Sequence, residues 1–268
     1  MPKKVSNNDN VDKKVPSAKV PSNGNNDNKM PAAKANERLN SRTPIGVEGF
    51  DSLVSGGLIP GSLTLVTGTT GTGKTIFSNQ FIYNGAKKYN ENGVYVSFEE
   101  PPENIKANVK DFGMDFSELE KQGKVAFVRF DPYHIEDVYE LIEASIKRIK
   151  AKRVVIDSVS ALGLCVRDAS ELRRMIFNLS VLLRKLGCTA ILTSEILPTQ
   201  KSLSRFGVEE FVSDTIIVLY YLRTDAQFSR SITVWKMRGS THSNKLHPYK
   251  MTERGIVVYP EEEALVKF

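Results

Sequence analysis

The sequence predicts an α/β fold: a mainly parallel, twisted sheet flanked by helices and ending in C-terminal antiparallel strands. Two observations carry that expectation. From Ser62 onward, β-rich runs alternate with amphipathic stretches of helical period, the pattern of a parallel sheet covered on both faces. After Pro198 the helical patterns stop, and β-rich runs follow one another through turn-rich links such as residues 223–227, which predicts hairpins.

The runs at residues 63–67, 94–98, 125–129, 154–157 and 190–193 supply the strands expected in the parallel part. Ahead of the fourth, Val138, Leu141, Ile142, Ile146 and Ile149 form an apolar stripe at helical spacing. Lys147, Arg148 and Lys150 stay outward near the end of that helix, where the backbone dipole favours cations. Leu172, Met175, Ile176, Leu179, Leu182, Leu183 and Leu186 recur in the same way, so a long helix with one buried face is expected before residues 190–193. The runs at 215–222, 231–237, 249–252 and 256–259 read as the C-terminal strands.

Residues 1–40 differ in kind. They hold nine Asn, no aromatic residue and no Ile, and they repeat Lys-Val-Pro-Ser at 14–17 and 19–22. So little apolar surface cannot offset the entropy of ordering, so the segment reads as disordered, with a docking arm for a partner as the functional alternative. The remaining 228 residues, 41–268, suffice for one domain with a sizeable core. The tail carries eight Lys/Arg against four Asp/Glu, which is four of the six net positive charges and leaves two for the rest. A folded part so close to neutral argues against a nucleic-acid surface, which needs clustered cations. No apolar run approaches the roughly 18 residues of a membrane span, and the first twenty residues lack a signal-peptide core. Cys165 and Cys188 can build neither a disulfide framework nor a cysteine-rich zinc site, which fits the reducing cytoplasm.

The chemistry begins with Gly68-Thr69-Thr70-Gly71-Thr72-Gly73-Lys74-Thr75, which fits G-x-x-x-x-G-K-[ST], follows a predicted strand and opens a predicted helix. Glycines let the backbone curl so that successive N–H groups face a β-phosphate, and the helix N-terminus adds positive potential. Lys74 would reach the β/γ oxygens and Thr75 would place its hydroxyl on Mg²⁺. Asp157 ends the apolar run Val154-Val155-Ile156 and is the candidate to hold Mg²⁺ through water.

Glu99 and Glu100 close the second strand. Two readings that do not exclude each other are open: acids at the start of the helix that Pro101-Pro102-Glu103 begins, and a base for the water that attacks a γ-phosphorus. Gly68, Glu99, Asp157 and the Thr193-Ser194 pair all fall at carboxyl ends of predicted parallel strands, where such folds bind ligands. Lys236 and Arg238 are two apart in a predicted strand and would share one face, with Trp235 and Met237 on the other. Two cations side by side need an anion or water, and spacing alone favours a solvated edge strand over an anion site. His242 and His247 have no partner at metal-ligand spacing, so no metal is expected beyond nucleotide-bound Mg²⁺.

Residues 45–51 and 56–61 before the loop resemble the entry to the RecA-superfamily ATPase core. Four later segments, Phe98-Glu99-Glu100, Ile156-Asp157-Ser158-Val159, residues 207–214 and residues 236–240, resemble the KaiC family within that superfamily, in the same order. The resemblance covers roughly residues 42–262. It implies a RecA-like P-loop core, assembled as a homo-oligomeric ring, normally a hexamer, with Mg²⁺ and ATP between neighbouring subunits. ATP would then lie on Gly68, Thr69, Thr70, Gly71, Thr72, Gly73, Lys74, Thr75 and Ile76, with Mg²⁺ at Thr75 and Asp157. The glutamate pair, Glu99 first, would activate water, and Lys236, Met237, Arg238, Ser240 and His242 would approach the nucleotide from the adjacent subunit. That implication reverses the solvated-edge reading of Lys236 and Arg238.

The clock proteins of this family carry two such domains in tandem, whereas this chain has one phosphate loop. Where their second domain bears adjacent Ser and Thr phosphate acceptors, this chain reads Glu210-Phe211, so autokinase activity there is not expected. The resemblance therefore implies a slow ATPase that controls an unidentified protein partner. Two alternatives stay open: a DNA-binding recombination protein of the wider superfamily, and a non-hydrolysing ATP-sensing scaffold like the archaeal motility-motor component. Removing residues 1–40 should leave thermal stability, assembly and ATPase activity unchanged, because no expected core position lies there. A large drop in melting temperature would contradict the disordered reading.

Overall fold

The computed structural model describes residues 41–130, 137–197, 202–224 and 227–264. The tail, Pro198 and part of the 223–227 link lie outside the described residues. Among the described residues nine strands form a sheet in the order β3-β2-β4-β5-β1-β6-β7-β8-β9. β1 (Leu63–Gly68), β2 (Gly93–Ser97), β3 (Val125–Arg129), β4 (Arg153–Asp157), β5 (Thr189–Glu195) and β6 (Thr215–Thr224) pair in parallel. β7 (Gln227–Met237), β8 (His247–Thr252) and β9 (Gly255–Val258) then extend the sheet in antiparallel fashion. Every expected strand is present, with ends shifted by at most a few residues.

Parallel neighbours require crossovers, and helices supply them. These are α1 (Lys74–Lys88), α2 (Pro102–Lys110), α3 (Ser117–Lys121), α4 (Val138–Ile149), α5 (Val159–Leu164), α6 (Ala169–Lys185) and α7 (Glu209–Val212). α1 is buried from Phe77 through Ala86 because it is sandwiched between the sheet and the segment leading into β1. α4, α5 and α6 cover the opposite face, where Ile142, Ile146, Leu172, Ile176, Leu179 and Leu183 meet Val154, Ile156 and Leu192. Val155 and Ile191 point instead toward α1. Burial on both faces is why Val154-Val155-Ile156 is apolar without alternation.

Two charged residues are built into this frame. Arg153 opens β4 fully buried; its guanidinium is held by Glu91 at 2.7 Å and the Phe81 carbonyl at 3.0 Å, and stacks on the rings of Phe81 and Tyr89. Asp51 accepts from the backbone N–H groups of Ile45 and Gly46, pinning the lead-in segment over α1.

The departures from expectation lie in the C-terminal part of the chain. A four-residue helix, α7, follows Pro198, too short to leave a periodic signature. The shared face assigned to Trp235 and Met237 fails because a β-bulge lies between the Ile216–Lys236 and Ile217–Val234 pairs. The extra residue, Trp235, is 57% exposed, and beyond it Met237 packs in the core with Ile232 and Val234. Arg238 lies past the end of β7.

Asp168 caps α6 by accepting the Glu171 N–H at 2.9 Å, while the Glu171 carboxylate reaches back to the Arg167 N–H. Asp168→Ala should cost about 1 kcal/mol of stability, read as a lowered urea midpoint with an unchanged slope.

Candidate active site

β1 ends in the glycine-rich loop and α1 begins at Lys74. Gly71 and Gly73 take φ of 81° and 88°, the left-handed region that side chains disfavour. A Cβ on Gly73 would also lie 2.4 Å from Met251 Cε, and one on Gly68 would lie 2.3 Å from the Leu219 carbonyl oxygen. Glycine at 73 therefore lets the C-terminal hairpin, and glycine at 68 lets β6, lie directly against the loop. Tyr249 donates from its hydroxyl to the Thr72 carbonyl at 2.5 Å, and Gln80 of α1 bonds the Ile256 N–H and carbonyl, so that hairpin is fastened over the loop.

The loop opens on a cleft of about 370 Å³ lined by Thr70, Gly71, Gly73, Lys74, Thr75, Ile76, Glu99, Asp157, Ser158, Glu195 and Met251. Thr72 is fully buried and its hydroxyl donates to the Thr69 carbonyl, so its side chain shapes the loop from within. Lys74 Nζ donates to the carbonyls of Gly68 and Thr69 at 2.9 and 3.1 Å, which brings the ammonium into the mouth of the loop. Burial lowers the Lys74 pKa, while Glu195, Asp157 and Glu99 oppose that shift.

Asp157 is held at the end of β4 by three hydroxyls. Thr75 of α1 donates to Oδ2 at 3.0 Å, Thr193 of β5 donates to Oδ1 at 2.5 Å, and Tyr95 of β2 donates to Oδ2. Burial and the Asp157 charge push the Tyr95 hydroxyl pKa well up, so it remains a donor. A Thr75 hydroxyl that gives its proton to Asp157 keeps its oxygen lone pairs for a cation, and this donor set suits Mg²⁺. Among the described residues no cluster of three or more His, Cys, Asp or Glu forms a separate metal site.

Glu99 and Glu100 part company in space. Glu99 lines the cleft, with burial and the Glu195 and Asp157 charges raising its pKa against the pull of Arg205 and Ser158. Glu100 turns to Asn108 on α2, which donates to its Oε1 at 2.9 Å. Burial and Asp157 raise its pKa as well. Sequence reading missed Glu195, Tyr95 and Met251. Glu195 is one acid at a strand end, ion-paired with Arg205 at 3.2 Å, and no motif marks it.

The second group of expected site residues lies elsewhere. Asp214, just ahead of β6, links the Arg238 N–H to its own carbonyl and gives its N–H to the Leu63 carbonyl, at the start of β1. Arg238 therefore sits a full strand away from the loop at Gly68, about 17 Å for six residues. Lys236 Nζ donates to the carbonyls of Glu210 and Ser213, and Arg238 donates to the Phe211 carbonyl at 3.1 Å and lies 3.7 Å from the Asp214 carboxylate. Neither cation is a bare solvated edge. Ser240 accepts from Arg42, His242 Nδ1 bonds the Ser243 carbonyl, and the Met237 side chain is core. Within one chain these five do not meet the loop.

The family model described as "ATPase: KaiC" matches residues 43–263. The chain belongs to the KaiC ATPase family. A protein of Thermotoga maritima described as "UPF0273 protein" is 40% identical over 238 residues, 82% of this chain and 97% of that protein. The circadian clock oscillator protein KaiC of Synechococcus elongatus is 37% identical over 224 residues, 80% of this chain but 43% of the clock protein, so the chain spans less than half of that relative. The crystal structure of a KaiC-like protein from the hyperthermophilic archaeon Pyrococcus horikoshii superposes with a TM-score of 0.76 at 40% identity, covering 82% of this chain and 99% of that one. The KaiC-like, RecA-type core expected from the sequence is thus shown. No helix among the described residues is long and apolar enough to cross a membrane.

Glu99→Gln should lower ATP turnover by about 100-fold, the usual size of a general-base contribution, and Glu100→Gln should lower it far less. A base works ionised, and the Glu99 pKa is raised above 4.5, so the acid limb of the turnover profile should lie above pH 4.5 and vanish in Glu99→Gln. Wild-type turnover in that variant would reduce Glu99 to a helix-end acid.

Proposed function

We propose that the protein is a Mg²⁺-dependent ATPase that assembles as a homo-oligomeric ring, a hexamer on the family pattern, and hydrolyses ATP slowly between neighbouring subunits. The observation that carries this is the split site. Lys74, Thr75, Glu99 and Asp157 converge on one cleft, whereas Lys236 and Arg238 lie at the opposite ends of the strands. Cations there serve a phosphate chain only if a second copy brings its cleft to them. A contact joining two different faces of the same chain repeats head to tail, and it closes as a ring when the rotation between copies divides a full turn, the closure that the family pattern supplies here.

In this reading the loop N–H groups and Lys74 bind and orient the phosphates, and Met251 closes the cleft on one side. Thr75 and Asp157 would hold Mg²⁺, which when bound neutralises charge on the phosphate oxygens. Glu99 takes the proton of the attacking water, and its raised pKa favours that transfer. Arg238 of one subunit neutralises charge developing on the γ-phosphate held by the next, a contribution of about 10³-fold or more in phosphoryl transfer. A slow, ring-borne cycle of this kind suits control of a protein partner, and the near-neutral core gives little support to nucleic acid as that partner.

The test mixes Arg238→Ala subunits, slowed about 10³-fold, with Lys74→Ala subunits, inactive alone. In a mixed ring some junctions pair an intact loop with an intact Arg238, and activity should return there. Mixed rings that form and stay inactive at every ratio would overturn the trans assignment.

A further inference from the structure

We propose that Glu209 is a positioning residue that links one subunit's nucleotide cleft to the Lys236–Arg238 pair facing the next, an inference that rests on the ring reading above. The Glu209 side chain is fully buried, an expensive place for a carboxylate unless every acceptor site is used. It accepts from Ser194 Oγ at 3.0 Å and from the Val208 N–H at 3.1 Å, and it shares the single proton of Ser204 Oγ, 2.7 Å away, with the Glu210 carboxylate.

The hydroxyls upstream can be traced without ambiguity once Ser194 gives its proton to Glu209. Ser194 then accepts from Ser160, 3.3 Å away, and from the Arg205 N–H, and Ser160 in turn accepts from the Glu195 N–H at 3.0 Å. Each hydroxyl has one proton and each is used once, so the chain runs in one direction, from the backbone of Glu195 to the carboxylate of Glu209. Its start is in the cleft wall. Glu195 lines the cleft, and Ser160 stands two residues beyond Ser158, which lines it too.

Its end is α7. A helix of four residues makes few internal hydrogen bonds, so what grips it sets its orientation. Glu209 is its first residue, anchored to β5, and the Ser213 hydroxyl closes on the Glu209 carbonyl. At the other end, the carbonyls of Glu210, Phe211 and Ser213 are taken by Lys236 and Arg238. α7 is therefore held between the tip of β5 beside one cleft and the two cations assigned to the neighbouring one. Movement at the end of β5 is passed to those cations through the Glu209 carboxylate.

The experiment is a double-mutant cycle on the full chain in its ring, with Glu209→Gln, Arg238→Ala and the double variant. kcat, nucleotide Kd for a fluorescent ATP analogue and molar mass are measured on each. Glu209→Gln keeps the shape but turns an amide donor toward Ser194 or toward the Val208 N–H. It should lower kcat about tenfold, a typical coupling, with Kd and ring mass unchanged. The double variant should be no slower than Arg238→Ala alone, because Glu209 acts only through the cations. Wild-type kcat in Glu209→Gln, or losses that multiply in the double variant, would overturn the proposal while leaving the ring reading intact. Should Glu209→Gln fail to fold, Ser194→Ala removes the same link and is judged by the same outcomes. Wild-type kcat in Arg238→Ala would sink the trans assignment itself, and this inference with it.

Discussion

Asp157 is the point on which the site turns. Its carboxylate gathers hydroxyls from α1, β2 and β5, so three elements that meet nowhere else in sequence are fixed to the end of β4. Remove that anion and Thr75 loses the partner that orients it at the first turn of α1. Tyr95 would be left as a buried phenol without its acceptor, at a cost of about 1–3 kcal/mol. The same charge helps raise the pKa of Glu99 and opposes the lowering at Lys74. A side chain that positions hydroxyls thus also adds, behind burial and Glu195, to the pKa shift of Glu99 and offsets part of that of Lys74.

Much of the fold was legible because both sheet faces are covered, which makes the central strands apolar runs that stand out between amphipathic helices. The phosphate loop was legible for a different reason: its glycines meet a local backbone demand that few other residues satisfy. What escaped the sequence depends on packing at a distance. The bulge at Trp235 arises from the mismatch between β6 and β7, and nothing within residues 231–237 announces it. Glu195 enters the site because β5 lies between β4 and β1 in the sheet, an order that a linear pattern does not contain. Glu99 and Glu100 are adjacent in sequence yet diverge because Asn108 sits within reach of one only.

The distribution of cations follows the same logic. Lys74 is paired with backbone carbonyls at one end of the strands, and Lys236 and Arg238 are paired with backbone carbonyls at the other. Carbonyl partners hold a cation in place without cancelling its charge, as a carboxylate would. Arg238 stands between the two cases, since Asp214 is shared with Arg184 on the same surface.

The fastening of the C-terminal hairpin over the glycine loop has a consequence for how the molecule comes into being. Tyr249 meets Thr72 across 177 residues of sequence, and Ile256 meets Gln80 across 176. During synthesis β1 and α1 leave the ribosome well before the residues that lock the loop. Contacts of such separation close late and slow folding, because a long stretch of chain must be ordered before they form. The pocket around the glycine loop is therefore expected to be finished only once β8 and β9 have been made and docked.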